Sequence, residues 1–154
     1  LQVVSVQKTD IFSTTSAMPT YADITGLSAT ITPSSSSSKI LVIVNVKVSN
    51  LTGYYSTQLK RQIGGASFTI VHGGDSASPS LGTAYARANV ENYIATMQQG
   101  GSFMDSPNTT SAVTFKVGAA AGGGTCYVNR TGYAVPSASQ PGSASSITLM
   151  EIGA

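Results

Sequence analysis

ITPSSSSSKILVIVNVKV, residues 31–48, decides how the rest of the chain is read. Five consecutive serines, Ser34 to Ser38, sit between two stretches that alternate as β-strands do. Such a run is either a flexible linker between two folding units or a loop inside one. Pro33 fixes its own φ and biases Thr32 towards extended backbone. Lys39 then leads directly into the most apolar strand pattern in the chain. There Ile40, Val42, Val44, Val46 and Val48 line one face, and Leu41, Ile43, Asn45 and Lys47 the other. The 32 residues before Pro33 hold about three short strand patterns and few large apolar groups, too little for a core of their own. The run therefore reads as a loop between strands, and residues 1–154 as a single β-sandwich domain.

Working outward, the same period of two recurs. Residues 27–32 alternate cleanly, Val113, Phe115 and Val117 alternate with Thr114 and Lys116, and Ile147, Leu149 and Glu151 alternate with Thr148, Met150 and Ile152. β-Branched and aromatic residues fill these runs, as strands prefer. The pattern predicts strands near 2–8, 20–24, 26–32, 39–49, 54–63, 66–72, 84–97, 112–119, 124–130 and 146–152. Residues 83–99 mix helix-favouring residues with strand alternation, and we read them as strand. Gly/Pro/Ser-rich loops are expected at 72–82 and 135–145, and a glycine turn at 118–124. Many short strands with such turns point to an all-β, antiparallel sandwich. The last strand is apolar on both faces, which predicts a central position and cover from a neighbouring subunit on its second face.

Composition narrows the functions. Charged residues make up 9% of the chain, against a usual ~25%. The formal net charge is +2, and only Lys60 and Arg61 are adjacent among the basic residues, so no phosphate-tracking stripe exists and nucleic acid is not an expected partner. A lone cysteine, Cys126, cannot form an internal disulfide and reads as a small buried hydrophobe. No apolar run approaches the ~20 residues of a membrane-spanning helix. The chain opens with Leu, which fits a processed product or part of a longer polypeptide.

Reactive chemistry is sparse. His72 is the only histidine, and the HGG that it opens is not accompanied by a G-x-S-x-G elbow. A triad using His72 and Asp75 has no identifiable serine. The six acids, Asp10, Asp23, Asp75, Glu91, Asp105 and Glu151, are scattered. No calcium loop, zinc set or phosphate loop is present, so no catalytic, metal or cofactor residue is assigned and no enzyme is expected. Sequons at Asn50, Asn108 and Asn129 arise easily in a chain rich in Ser and Thr.

LQVVSVQKTDIFSTTS, YADITGLSATITPSSSSSKILVIVNVKV, FMDSPNTTSAVTFKV, TCYVNRTG and SSITLMEIGA follow one another along nearly the whole chain. In this order they resemble the virion-surface β domains of marine and other tailed bacteriophages, found in tail fibres and related appendages. The resemblance implies a jelly-roll-like sandwich that assembles as a trimer, similar to tumour-necrosis-factor-like heads, at the surface of an extracellular particle. It gives Asp105-Ser106-Pro107 the role of a tight turn. Its implied partners are copies of itself, other virion proteins and a host-surface glycan or protein. Tyr127, Ile147, Leu149 and Met150 are the candidate trimer-interface residues. Tyr54, Tyr55, His72 and Asp75 are the candidates for recognition loops. Two other jobs fit the same residues: a capsid decoration protein or head-fibre knob that reinforces the shell, and, more remotely, a virion-associated glycan hydrolase. The low charge suits a particle in high salt, where surface ion pairs are screened.

Overall fold

The computed structural model describes residues 2–51, 53–72, 80–85, 96–132 and 142–153. All regular structure in them is β. The strands are β1 (Val3–Lys8), β2 (Phe12–Thr14), β3 (Ala22–Ile31), β4 (Lys39–Asn50), β5 (Tyr54–Ile63), β6 (Thr69–His72), β7 (Gly82–Tyr85), β8 (Met97–Asp105), β9 (Val113–Gly122), β10 (Cys126–Val128) and β11 (Ser145–Ile152). They form two antiparallel sheets. In the first, β4 is flanked on one edge by β11 and then β1, and further along by β10 and then β2; β8 pairs with its other edge. In the second the order is β3-β9-β5-β6, with β7 beside β6 along the same edge of β5. The pairs β1·β11, β3·β9, β4·β8 and β5·β6 nest inside one another along the chain, which is the jelly-roll arrangement.

The inward rows of the two sheets make one core. Ile40, Val42, Val44, Val46 and Val48 of β4 are all within 2% of complete burial. They pack in the same cluster as Leu27 and Ile31 of β3, Leu59 of β5, Val113, Phe115 and Val117 of β9, and Ile147 and Leu149 of β11. Each such side chain contributes about 1.5–3 kcal/mol relative to exposure. The serine run joins β3 of one sheet to β4 of the other and is tied down. Ser34 donates from its amide and its hydroxyl to Glu151 Oε1, both at 2.6 Å, and Ser38 also bonds that carboxylate.

Several boundaries differ from the sequence reading. Stretches 20–24 and 26–32 are one strand, β3, whose register against β9 slips between Asp23 and Ser28. Gly26, with φ +82°, sits in that irregularity. The turn expected at 118–124 is mostly strand. β9 continues to Gly122 because small residues are needed where chain crosses chain: a Cβ on Gly118 would lie 3.1 Å from Tyr21 Cβ, and one on Gly122 2.8 Å from Met18 Cε. Only Gly123 and Gly124 turn, both at positive φ. β2 and most of β8 were not anticipated, since β2 is three residues long and MQQGGSFMD has little alternation. Residues 83–85 and 97–99 of the ambiguous segment are strand; residues 86–95 lie outside the described residues, as do 73–79 and 135–141 of the two expected loops.

Candidate functional site

The described acids are all engaged in ties. Asp105, at the end of β8, accepts two hydrogen bonds from Arg61 Nη1 of β5, at 2.7 and 2.9 Å, and so clamps one sheet to the other. This corrects the turn role given to Asp105: its carboxylate reaches across the sandwich rather than back to local amides. Asp23, on the outer face of the second sheet, lies between Lys60 at 3.0 Å and Lys116. Partial burial pulls its pKa up, but the two lysines together outweigh that and hold it below the usual carboxylate range. Asp10 caps the buried amine of Lys8 at 2.7 Å, and that hydrogen bond lowers its pKa. Glu151 is 3% exposed and held low by the Ser34 hydroxyl, then by the Ser34 amide and Ser38. Asp75 and Glu91 lie outside the described residues. Among the described residues no three His, Cys, Asp or Glu side chains converge as a metal set.

One polar centre escaped the sequence reading. Asn129 is fully buried with φ 63°. Its Nδ2 donates to the carbonyls of Lys8 and Asp10 at 2.9 and 3.0 Å, and its Oδ1 accepts from Ser145 Oγ at 2.6 Å. Ser145 Oγ in turn accepts from the Lys47 amide. The ends of β1, β10 and β11 are thereby tied to β4. The only sequence signal was the sequon, which pointed elsewhere. Asn50 is equally buried, so of the three sequons only Asn108 presents its side chain to solvent.

The candidate contact residues separate by strand parity. Tyr54 faces outward and is 52% exposed. Tyr55, its neighbour, points into the core at 2% and is not a recognition residue; burial raises its phenol pKa. His72 ends β6, but its side chain and all of Asp75 lie outside the described residues. Ile147 and Leu149 are fully buried within the chain itself, which takes them off any subunit face. The cause is the inward parity of β11. Met150 and Tyr127 are half-buried and face outward, with Arg130 stacked on the Tyr127 ring at 4.3 Å. Cys126 is buried, which pushes its thiol pKa up to about 12 and leaves it unreactive.

The two outer faces differ in chemistry. The second sheet presents Asp23, Lys60 and Lys116, with Lys116 over the Phe68 ring. On the first sheet the pairing registers place Val3, Met150, Leu41 and Met104 in one row across β1, β11, β4 and β8. The next outward row is Ser5, Thr148, Ile43 and Ser102. Val3, Ile43 and Met104 are exposed in the single chain, and neither row carries a charge.

No family model and no curated protein matches the chain. Among solved structures it is similar to one of the infectious bursal disease virus Gx strain, with 12% identity and a TM-score of 0.47, over 98% of this chain and 32% of that one. It is also similar to the VP2 subviral particle of that virus, with 12% identity and a TM-score of 0.38 over 99% and 38% of the two chains. A third similar structure is that of T=1 particles derived from the virus, with 14% identity and a TM-score of 0.39 over 99% and 36%. The chain thus spans about a third of the solved chains it matches. At this identity and overlap the likenesses say nothing of what the chain binds or where it works.

Proposed function

We propose that the chain is a non-enzymatic structural β domain of a virion surface, forming the trimeric head of a tail fibre or appendage that presents loops to the host. The observation that carries the structural reading is the use of its acids. Among the described acids, Asp105 and Glu151 tie distant parts of the scaffold together through Arg61 and the serine loop, and Asp10 and Asp23 are paired with lysines. A general acid or base needs a carboxyl free to exchange its proton with substrate. The phage assignment is supported by the DITGLSATITPSS and DSPNTTSAVTFKV blocks, the terminal ITLMEI, and their resemblance to tailed-phage surface domains.

Antibody-gold labelling of purified particles tests the placement. Label at fibre tips is expected. Label spread over capsid faces would replace the tail reading with a decoration role, and unlabelled particles would remove the virion reading. Release of oligosaccharide from host polysaccharide, abolished by one Asp or Glu substitution, would overturn the non-enzymatic part.

A further inference from the structure

We propose that the outer face of the first sheet is the surface through which copies of this chain meet; this rests on the self-assembly proposed above and names its face. The observation is the unbroken row Val3, Met150, Leu41, Met104 across four strands, extended by Ile43 on the next row and Ile152 at the end of β11. Val3 at 53%, Met104 at 48% and Ile43 at 39% are among the most exposed large apolar side chains of the described residues. Row neighbours on adjacent strands stand about 5 Å apart, so these side chains form one continuous patch. Monomeric surfaces scatter such residues singly.

Three features select a second copy as the occupant. The first is size. β4 is 12 residues long and the sheet is three to four strands wide along it. At ~3.3 Å per residue and ~4.8 Å between strands, the face covers on the order of 700 Å². A standard specific interface takes ~800 Å² from each partner. The second is charge. No ionised side chain of β4 faces outward between Lys39 and Lys47, so three such faces gathered round a threefold axis bury none, while Lys39 and Lys47 lie towards the two ends as a polar rim. The third is contrast with the second sheet. Its outer face carries Asp23, Lys60 and Lys116, so the chain has one uncharged face and one charged face, and an uncharged partner surface of matching extent is found on another copy.

The native methionines provide the test. Met104 and Met97, at opposite ends of β8, are 48% and 51% exposed in the single chain. Met97 pairs with core-facing Val48 and is off the proposed face. Peroxide oxidation, read by peptide mass spectrometry, is expected to be several-fold slower at Met104 than at Met97 in the assembled protein. Light scattering is expected to give a multiple of 15.7 kDa. Leu41→Glu and Met150→Glu are expected to return the mass to one chain with the β circular dichroism spectrum kept, while Ile70→Glu on the second sheet leaves the multimer intact. A wild-type protein that stays monomeric at every concentration overturns the proposal. So does a multimer in which Met104 and Met97 oxidise alike. Particle labelling is read separately, so a chain found on virions but monomeric in solution sinks this face and spares the virion reading.

Discussion

The amide of Asn129 donates twice and accepts once inside a fully buried site, with backbone in the left-handed region. Asn tolerates that region better than most residues. Asn129→Ala leaves two carbonyls and the Ser145 hydroxyl without their partner and adds backbone strain. A loss of about 3 kcal/mol or more is expected in chemical denaturation. Asn129→Gly keeps the loss of hydrogen bonds but relieves the strain, and is expected to lose about 1 kcal/mol less. Glu151 sets an acid response. Its folded pKa lies below the usual glutamate value, so its contribution is full above that value and disappears as pH falls through the lowered one. Thermal melts should therefore show wild type losing its advantage over Glu151→Gln as pH drops below about 4.3. An unchanged gap down to pH 2 would show that the serine loop is not held by the ionised carboxyl.

At the scale of elements, the β5–β8 clamp is the decisive cross-tie. Arg61 and Asp105 have side chains 23% and 10% exposed, so the pair is partly desolvated. Removing one partner leaves a charge in a poor environment, whereas removing both removes the problem. Asp105→Leu alone is expected to cost about 2 kcal/mol, less than for a fully buried pair because water still reaches the guanidinium. The double variant Arg61→Met with Asp105→Leu should recover most of that loss, as a double-mutant cycle in urea would measure. Sequence reading placed β4 and β11 to within a residue or so because each alternates strongly over eight or more residues, and it placed the ends of β5 between Gly53 and the Gly64–Gly65 pair. It failed at β2, too short to show a period, and at β8, where Gly100 and Gly101 erase it. Gly100 is there because a Cβ at φ +140° would strike the Val44 carbonyl oxygen, a contact that exists only once β4 lies alongside.

For the molecule as a whole, stability rests on β packing more than on charge. Four ion pairs are seen among the described residues, and those of Asp10 and Asp23 involve exposed carboxylates. Raising NaCl from 0.1 to 1 M should shift the melting temperature little, since exposed pairs contribute little and are screened. Assembly through the uncharged face makes a separate prediction. The melting temperature should rise with protein concentration, because association stabilises the folded state by mass action. Leu41→Glu should abolish that dependence while keeping the dilute-limit melting temperature within a few degrees. A concentration-independent melt in wild type would count against self-association.

The sequence by itself determined the β class, the joining of both sides of the serine run, and the scarcity of reactive groups. Alternation and composition are local properties that survive without coordinates. It also showed that the final strand is apolar on both faces, but not which face turns inward. Parity against the core decided that: Ile147 and Leu149 went inside, Met150 stayed outside, and Tyr54 and Tyr55 parted in the same way. Only the tertiary structure could bring Asn129 to Lys8, Asp105 to Arg61 and Ser34 to Glu151, because 121, 44 and 117 residues separate those partners. The row from Val3 to Met104 depends on four strands distant in sequence being set side by side in register. A run of serines that could have divided the chain instead closes one end of its sandwich, because a carboxylate from the last strand is there to hold it.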